Sequence, residues 1–185
     1  MTALATALSI SVAFSGEISD RATEAEKLLQ SDNPAGALQK FRQAEDALWK
    51  AMPLTASNFQ QVESASGFGI YTSRSSHLYK PKGTVALYME PVGYGYGSDG
   101  LGNNQIMLSI DISIFSSSGE KIITMKNIAR AQIASHERNR EMYIVLNVTL
   151  GDIPPGKYRA DVVLHDEVSK KEASFPTDFE VAGES

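Results

Sequence analysis

A chain of 185 residues, 42% hydrophobic, with a formal net charge of -5, is long enough for one well-cored domain plus a modest appendage. The Lys and Arg residues are scattered among carboxylates, which argues against nucleic-acid binding, since a phosphate backbone requires clustered cations. There is no cysteine, so disulfides, thiolate nucleophiles and zinc-thiolate sites are excluded.

Residues 1–15 are uncharged and apolar, and they close on Ala13-Phe14-Ser15, the small-x-small pattern of a signal-peptidase site. The segment reads as a signal peptide with a truncated basic n-region, and it predicts a periplasmic or secreted protein. A short apolar strand or helix lying on the core is the alternative. Later in the chain nothing approaches the roughly 18 apolar residues of a membrane span, so no integral membrane segment is expected in the mature chain.

From Ile18 to Gln30 the apolar residues Ile18, Ala22, Ala25, Leu28 and Leu29 recur at helical spacing. Asp32-Asn33-Pro34 then supplies a stop, a cap and a favoured first helical residue. A second helix carries Ala37, Leu38, Phe41, Ala44, Leu48 and Trp49 along one side. It should end at Met52-Pro53, because a residue before proline is pushed out of the helical region. The pair predicts a helical hairpin over 16–53. The stretch from Pro34 to Ala44 resembles the second half of a tetratricopeptide repeat. That family needs about three repeats to bury its faces, so a single hairpin is expected to act as a packing element.

Residues 54–66 are polar and read as a connector. Period-two alternation then takes over, in an expected β domain over 67–182. Phe68 to Thr72, Val85 to Met89, Ile106 to Phe115, Lys121 to Ile128, Met142 to Leu150, Tyr158 to Leu164 and Ala173 to Val181 make seven expected strands. Ile106, Leu108, Ile110, Ile112 and Ile114 face one way against Ser109, Asp111 and Ser113, as in an antiparallel sheet with one wet face. Pro176 belongs at an edge or a bulge.

Asp152-Ile153-Pro154-Pro155-Gly156-Lys157-Tyr158 reads as the corner where a sandwich crosses between sheets. The prolines stiffen it, Gly156 frees φ, and the tyrosine hydroxyl can bond backbone nearby. From Pro154 to Val181 the chain is similar to the last two strands of bacterial extracellular immunoglobulin-like and fibronectin-III-like sandwich modules. The resemblance implies a mainly β fold, a seven-stranded antiparallel Greek-key sandwich following an α-hairpin. It implies no chemistry, because such superfolds host many functions.

The loop from Gly93 to Asn104 has the most unusual composition in the chain. Gly95 to Gly100 matches G-x-G-x-x-G, but a strand rather than a helix follows, so no dinucleotide site is expected. One carboxylate is too little charge for a tight calcium loop. Tyr94 and Tyr96 could present flat faces to a sugar, with Asp99 and Asn103 bonding around them; the bland alternative is a hairpin tip. The segment from Tyr71 to Lys80 mixes aromatics with donors and could line a groove, or merely join strands. His77, His136 and His165 have no ligand partner at metal spacing, and no Gly-x-Ser-x-Gly elbow exists. Glu90, Asp111 and Asp161 are the carboxylates on polar strand faces that a glycosidase could use.

No catalytic residue, metal site or cofactor is therefore expected. The leading expectation is a non-catalytic accessory protein of the cell envelope that contacts another envelope protein. A carbohydrate-binding module using loop 93–104 is the alternative, and a small hydrolase with His136 or His165 beside a carboxylate is the second.

Overall fold

The computed structural model describes residues 14–183. The chain separates into two compact units that divide between Met52 and Pro53. The expected signal peptide lies outside the described residues, apart from Phe14 and Ser15, which open the first helix. Among the described residues no helix is long and apolar enough to cross a membrane.

The first unit is the expected helical hairpin, α1 (Phe14–Gln30) and α2 (Pro34–Ala51). Asn33 caps α2, accepting the Gly36 N–H at 3.0 Å, with proline in the first turn. Met52 ends the helix in extended backbone, as its position before Pro53 requires. The seam differs from expectation. Ala25, Ala37, Ala44 and Ala47 are buried, whereas Leu38, Phe41 and Leu48 are exposed. Small side chains at the seam let the two backbones approach closely, which turns the large apolar residues of α2 outward.

The second unit holds ten strands: β1 (Thr55–Gly67), β2 (Ile70–Ser73), β3 (Leu78–Tyr79), β4 (Thr84–Val92), β5 (Gly97–Ser98), β6 (Asn104–Ser116), β7 (Lys121–Ser135), β8 (Ile144–Thr149), β9 (Gly156–Asp166) and β10 (Glu172–Val181). They form two sheets in a sandwich-like arrangement. One sheet runs β2-β1-β4-β8; the other runs β3-β10-β9-β6-β5, with β7 also paired to β6. Pairing is antiparallel except between β3 and β10, which are parallel. Ile112, Ile114, Ala160 and Phe179 of the larger sheet meet Val85, Leu87 and Val148 of the smaller. Burial of these branched side chains is the main stabilising term.

All seven expected strands are present, and three more correct the count. β3 and β5 have two residues each, too short for a periodic signal. β1 occupies the segment expected to be a connector. Its polar composition hides it, and register shifts between Ala56 and Asn58 and between Val62 and Ser64 break its alternation. Gln61, in its middle, is 2% exposed yet fully bonded. Its amide donates to Thr177 Oγ1 at 2.8 Å and to the Asp178 carbonyl at 2.7 Å, while Tyr79 donates to its oxygen at 2.7 Å. This one side chain stitches the two sheets together.

β7 runs to Ser135, beyond its expected end near Ile128, across a bulge at Asn127. The Asn127 N–H donates to Asp111 Oδ1 at 2.8 Å, which holds the bulge in place. Pro176 pairs with Asp161 of β9 without a register shift and has no strand on its other side, so it marks an edge. At the corner the Tyr158 hydroxyl donates to the Pro154 carbonyl at 2.7 Å, and Gly156 takes φ 152.

Candidate ligand-binding groove

Loop 93–104 is tied down rather than presented. The Tyr94 and Tyr96 hydroxyls both donate to the Asn139 carbonyl at 2.8 Å, and their rings meet at 63° with centroids 5.6 Å apart. Tyr94 is 1% exposed, and burial first, then the neighbouring Tyr96, pushes its hydroxyl pKa well above the usual range. Two such rings cannot form the exposed, coplanar platform that a sugar-stacking role for this pair requires. Tyr96 is half-buried, with the Arg138 guanidinium 5.6 Å from its ring.

Asp99 and Asn103 are spent on each other. Asp99 accepts from the Leu101 and Asn103 N–H groups at 2.8 and 3.1 Å and from the Asn103 amide at 2.6 Å. The Asn103 bond, then that from Leu101, lowers the carboxyl pKa. The four residues singled out from the sequence thus fall into two separate staples, Tyr94 with Tyr96 on Asn139 and Asp99 with Asn103.

The clamp behind this loop is the β9–β10 turn. Asp166, 1% exposed, accepts the Gly95 N–H at 2.6 Å, the Val168 and Ser169 N–H groups at 2.9 and 3.2 Å, and the Ser169 hydroxyl. Lys171 donates to the Gly93 carbonyl at 2.9 Å. A Cβ on Gly95 would lie 2.9 Å from Ser169 Cβ, so only glycine permits this approach.

An open groove of about 690 Å³ lies instead at one end of the larger sheet. That volume falls within the range of small-molecule sites, roughly 300–1,000 Å³. Outward-facing side chains of neighbouring strands supply two cross-strand rows, Leu78–Glu180–Lys157 and Asp178–Arg159–Phe115. Tyr158 and Phe179 stack beneath them at 5.5 Å and 24°. The Ser116–Gly119 turn and the Ser76–His77 approach to β3 line the groove as well.

The rows alternate in sign. Arg159 is oriented by Asp161, with contacts of 2.9 and 3.1 Å, and its guanidinium lies 4.9 Å from the Phe115 ring centroid. Among the described residues Lys157, Asp178 and Glu180 form no ion pair, so their polar heads stay available. Donors and acceptors are interleaved at the strand spacing of about 5 Å.

Sequence reading reached this site at one margin, since Ser76, His77 and Leu78 of the Tyr71–Lys80 segment line it. It missed the floor. The available signal was charge at alternate positions, Lys157-x-Arg159-x-Asp161 opposite Asp178-x-Glu180, which places charges of both signs on one sheet face.

Of the glycosidase carboxylates, Asp111 and Asp161 lie on neighbouring strands one diagonal step apart, and Glu90 is apart from both. Glu90 stands on the smaller sheet, whereas Asp111 and Asp161 belong to the larger and are engaged by Asn127 and Arg159. His165 does sit beside carboxylates, 2.8 Å from Glu172 and 3.2 Å from Asp111, but it is not among the groove residues. No group of three or more metal-ligating side chains occurs among the described residues.

Burial is the largest single influence on His165 and pulls its pKa down. The Glu172 and Asp111 contacts together outweigh it, so the net shift is upward. A group whose folded pKa is raised stabilises most below its unfolded value, near 6.5, and that contribution fades as pH rises through the folded value. Stability is therefore expected to fall over that window in urea titrations, and the slope should flatten in His165→Gln. An unchanged slope would remove His165 as its source.

No protein-family model and no curated protein matches the chain. Among solved structures it is similar to the C-terminal domain of wzt, at 10% identity and TM-score 0.41, covering 74% of this chain and 78% of that one. A family 123 glycoside hydrolase from Clostridium perfringens matches at 10% identity and TM-score 0.44, over 72% of this chain and 28% of that one. A CARDB domain from Pyrococcus furiosus, in complex with di-metal ions, matches at 10% identity and TM-score 0.28, over 72% and 96%. Likenesses this distant say nothing of ligand or activity.

Proposed function

We propose that this is an exported, non-catalytic carbohydrate-binding module with an Ig-like Greek-key sandwich, and that it holds a neutral oligosaccharide in the groove beside Phe115 and Arg159. The observation that supports this reading is the interleaving of donors and acceptors around an aromatic floor. Lys121, Lys157 and Arg159 are offset by Asp161, Asp178 and Glu180, so the region carries no net charge to attract an ion. Vicinal hydroxyls donate and accept at once, and a chain of sugars can satisfy both kinds of group without charge of its own. Ser116 and Ser117 add hydroxyls at the rim.

Protein contact through the helical hairpin is the second reading, favoured by Leu38, Phe41 and Leu48 being 53%, 58% and 47% exposed on α2. The deciding experiment is calorimetric titration of the full chain with malto-, cello-, xylo- and chito-tetraose. Lys157→Ala/Arg159→Ala should weaken binding of the responding sugar by about tenfold to a hundredfold, the loss expected for charge-assisted hydrogen bonds. No heat with any of the four sugars would overturn the glycan reading and leave the hairpin as the site of function.

A further inference from the structure

We infer that a second sugar subsite lies on the outer face of the smaller sheet, formed by Tyr71 and Tyr143 over a buried Tyr88–Glu90 pair, which would make the module bivalent. The inference rests on the carbohydrate reading for its ligand class, but on separate residues for its place.

On β4, Val85, Leu87 and Met89 point into the core, so Tyr88 and Glu90 point away from it. An outward position on an antiparallel sheet is normally wet. Yet Tyr88 is 0% exposed and Glu90 9%. Tyr88 is covered by Tyr71 at 4.7 Å and 40° on one side and by Tyr143 at 6.0 Å and 23° on the other. The three rings form a continuous aromatic stack across the sheet.

The centre of this stack is held rigidly. Tyr88 donates to Glu90 Oε1 at 2.7 Å and accepts the Gly69 N–H at 2.8 Å, from the turn between β1 and β2. Burial, and then the bond to Glu90, pushes its pKa up to about 12. Ser57 donates to the other Glu90 oxygen at 3.2 Å. Burying a carboxylate costs desolvation energy that an apolar pair at the same two positions would avoid. Two bonds leave a carboxylate with lone pairs still to fill.

The outer members of the stack are built differently. Tyr143 is 39% exposed and Tyr71 half-buried, and among the described residues neither hydroxyl is hydrogen-bonded. On the neighbouring β1, Asn58 pairs in register with Glu90 and Gln60 with Tyr88. The Gln60 amide donates to Asn58 Oδ1 at 3.0 Å and its oxygen accepts from Ser73 at 2.8 Å, which leaves the Asn58 amide nitrogen to a ligand. Exposed ring faces carry negative quadrupole charge that receives the C–H face of a pyranose. The free phenols and the Asn58 amide nitrogen then meet its hydroxyls. This is the arrangement that loop 93–104 lacks.

The test is titration of the ¹⁵N-labelled full chain with the same four tetraoses, following amide shifts on both sheets, together with calorimetric stoichiometry. Two sugars per chain are expected, with shifts at Tyr71 and Tyr143 as well as in the groove. Tyr143→Ala should reduce the count to one and leave groove shifts unchanged. One sugar per chain with groove shifts alone would overturn this inference and keep the groove reading. Shifts confined to the tyrosine face would uphold a sugar site there but overturn the groove and, with it, bivalency. Absence of shifts with all four sugars would overturn both. Tyr143 lies at the surface, so its loss should not unfold the chain, and far-ultraviolet dichroism of the variant checks that.

Discussion

Asp166→Ala is expected to destabilise the β unit by roughly 3 kcal/mol or more, the largest single effect foreseen outside the apolar core. The carboxylate is buried and accepts from Gly95, Val168 and Ser169 backbone N–H groups as well as from the Ser169 hydroxyl. Alanine would take the shared acceptor from the part-buried Gly95 and Val168 N–H groups and from that of Ser169, and each part-buried donor carries a desolvation cost for its unmade bond. Asp166→Asn should fall between the two, because its amide can serve the Val168 and Ser169 donors while presenting N–H to the Gly95 N–H. Urea unfolding followed by dichroism reads both shifts. A midpoint for Asp166→Ala within error of the parent would show that the clamp contributes nothing. Because the same carboxylate anchors loop 93–104, the Tyr94 and Tyr96 contacts with Asn139 should loosen alongside.

Gln61→Leu is expected to cost about 2–4 kcal/mol, although it makes the core more apolar. The Tyr79 hydroxyl, the Thr177 hydroxyl and the Asp178 carbonyl would all lose their shared partner. The Tyr79 hydroxyl would then be a buried orphan, since that residue is 4% exposed. Tyr79→Phe in the Gln61→Leu background should recover part of the loss, and the double-mutant cycle measures the coupling. Additive effects would mean that the bond from Tyr79 to Gln61 carries no net stability. The outcome bears on the groove, because Phe179 and Glu180 follow directly on the Asp178 carbonyl that Gln61 holds.

Much of the architecture follows from local chemistry. The alternation from Ile106 to Ile114 specifies a strand with one dry face whatever surrounds it, because the side-chain period of a strand is two. Asn33 with Pro34 and Met52 with Pro53 set the ends of α2 through backbone constraints acting within a few residues. The Pro154–Tyr158 corner is equally local, a hydroxyl reaching a carbonyl four residues back.

Tertiary structure decided the rest. β1 is a strand because β4 and β2 pair with it; its own bulges and polar residues conceal that role. Burial chose among the tyrosines. Tyr94 and Tyr96 stand out in a glycine-rich run, yet Asn139, more than forty residues away, draws both hydroxyls inward. Tyr71 belongs to a segment whose mix of aromatics and donors suggests a groove, but Tyr88 and Tyr143 carry no such signal, and the three become a face only when β2, β4 and the lead into β8 converge. The groove likewise needs β3, β6, β9 and β10 side by side. Hydrophobic period, capping and turn chemistry are short-range and can be read from neighbouring residues. Exposure, charge pairing and concavity depend on which distant strands become neighbours, and only the packed sheets determine them.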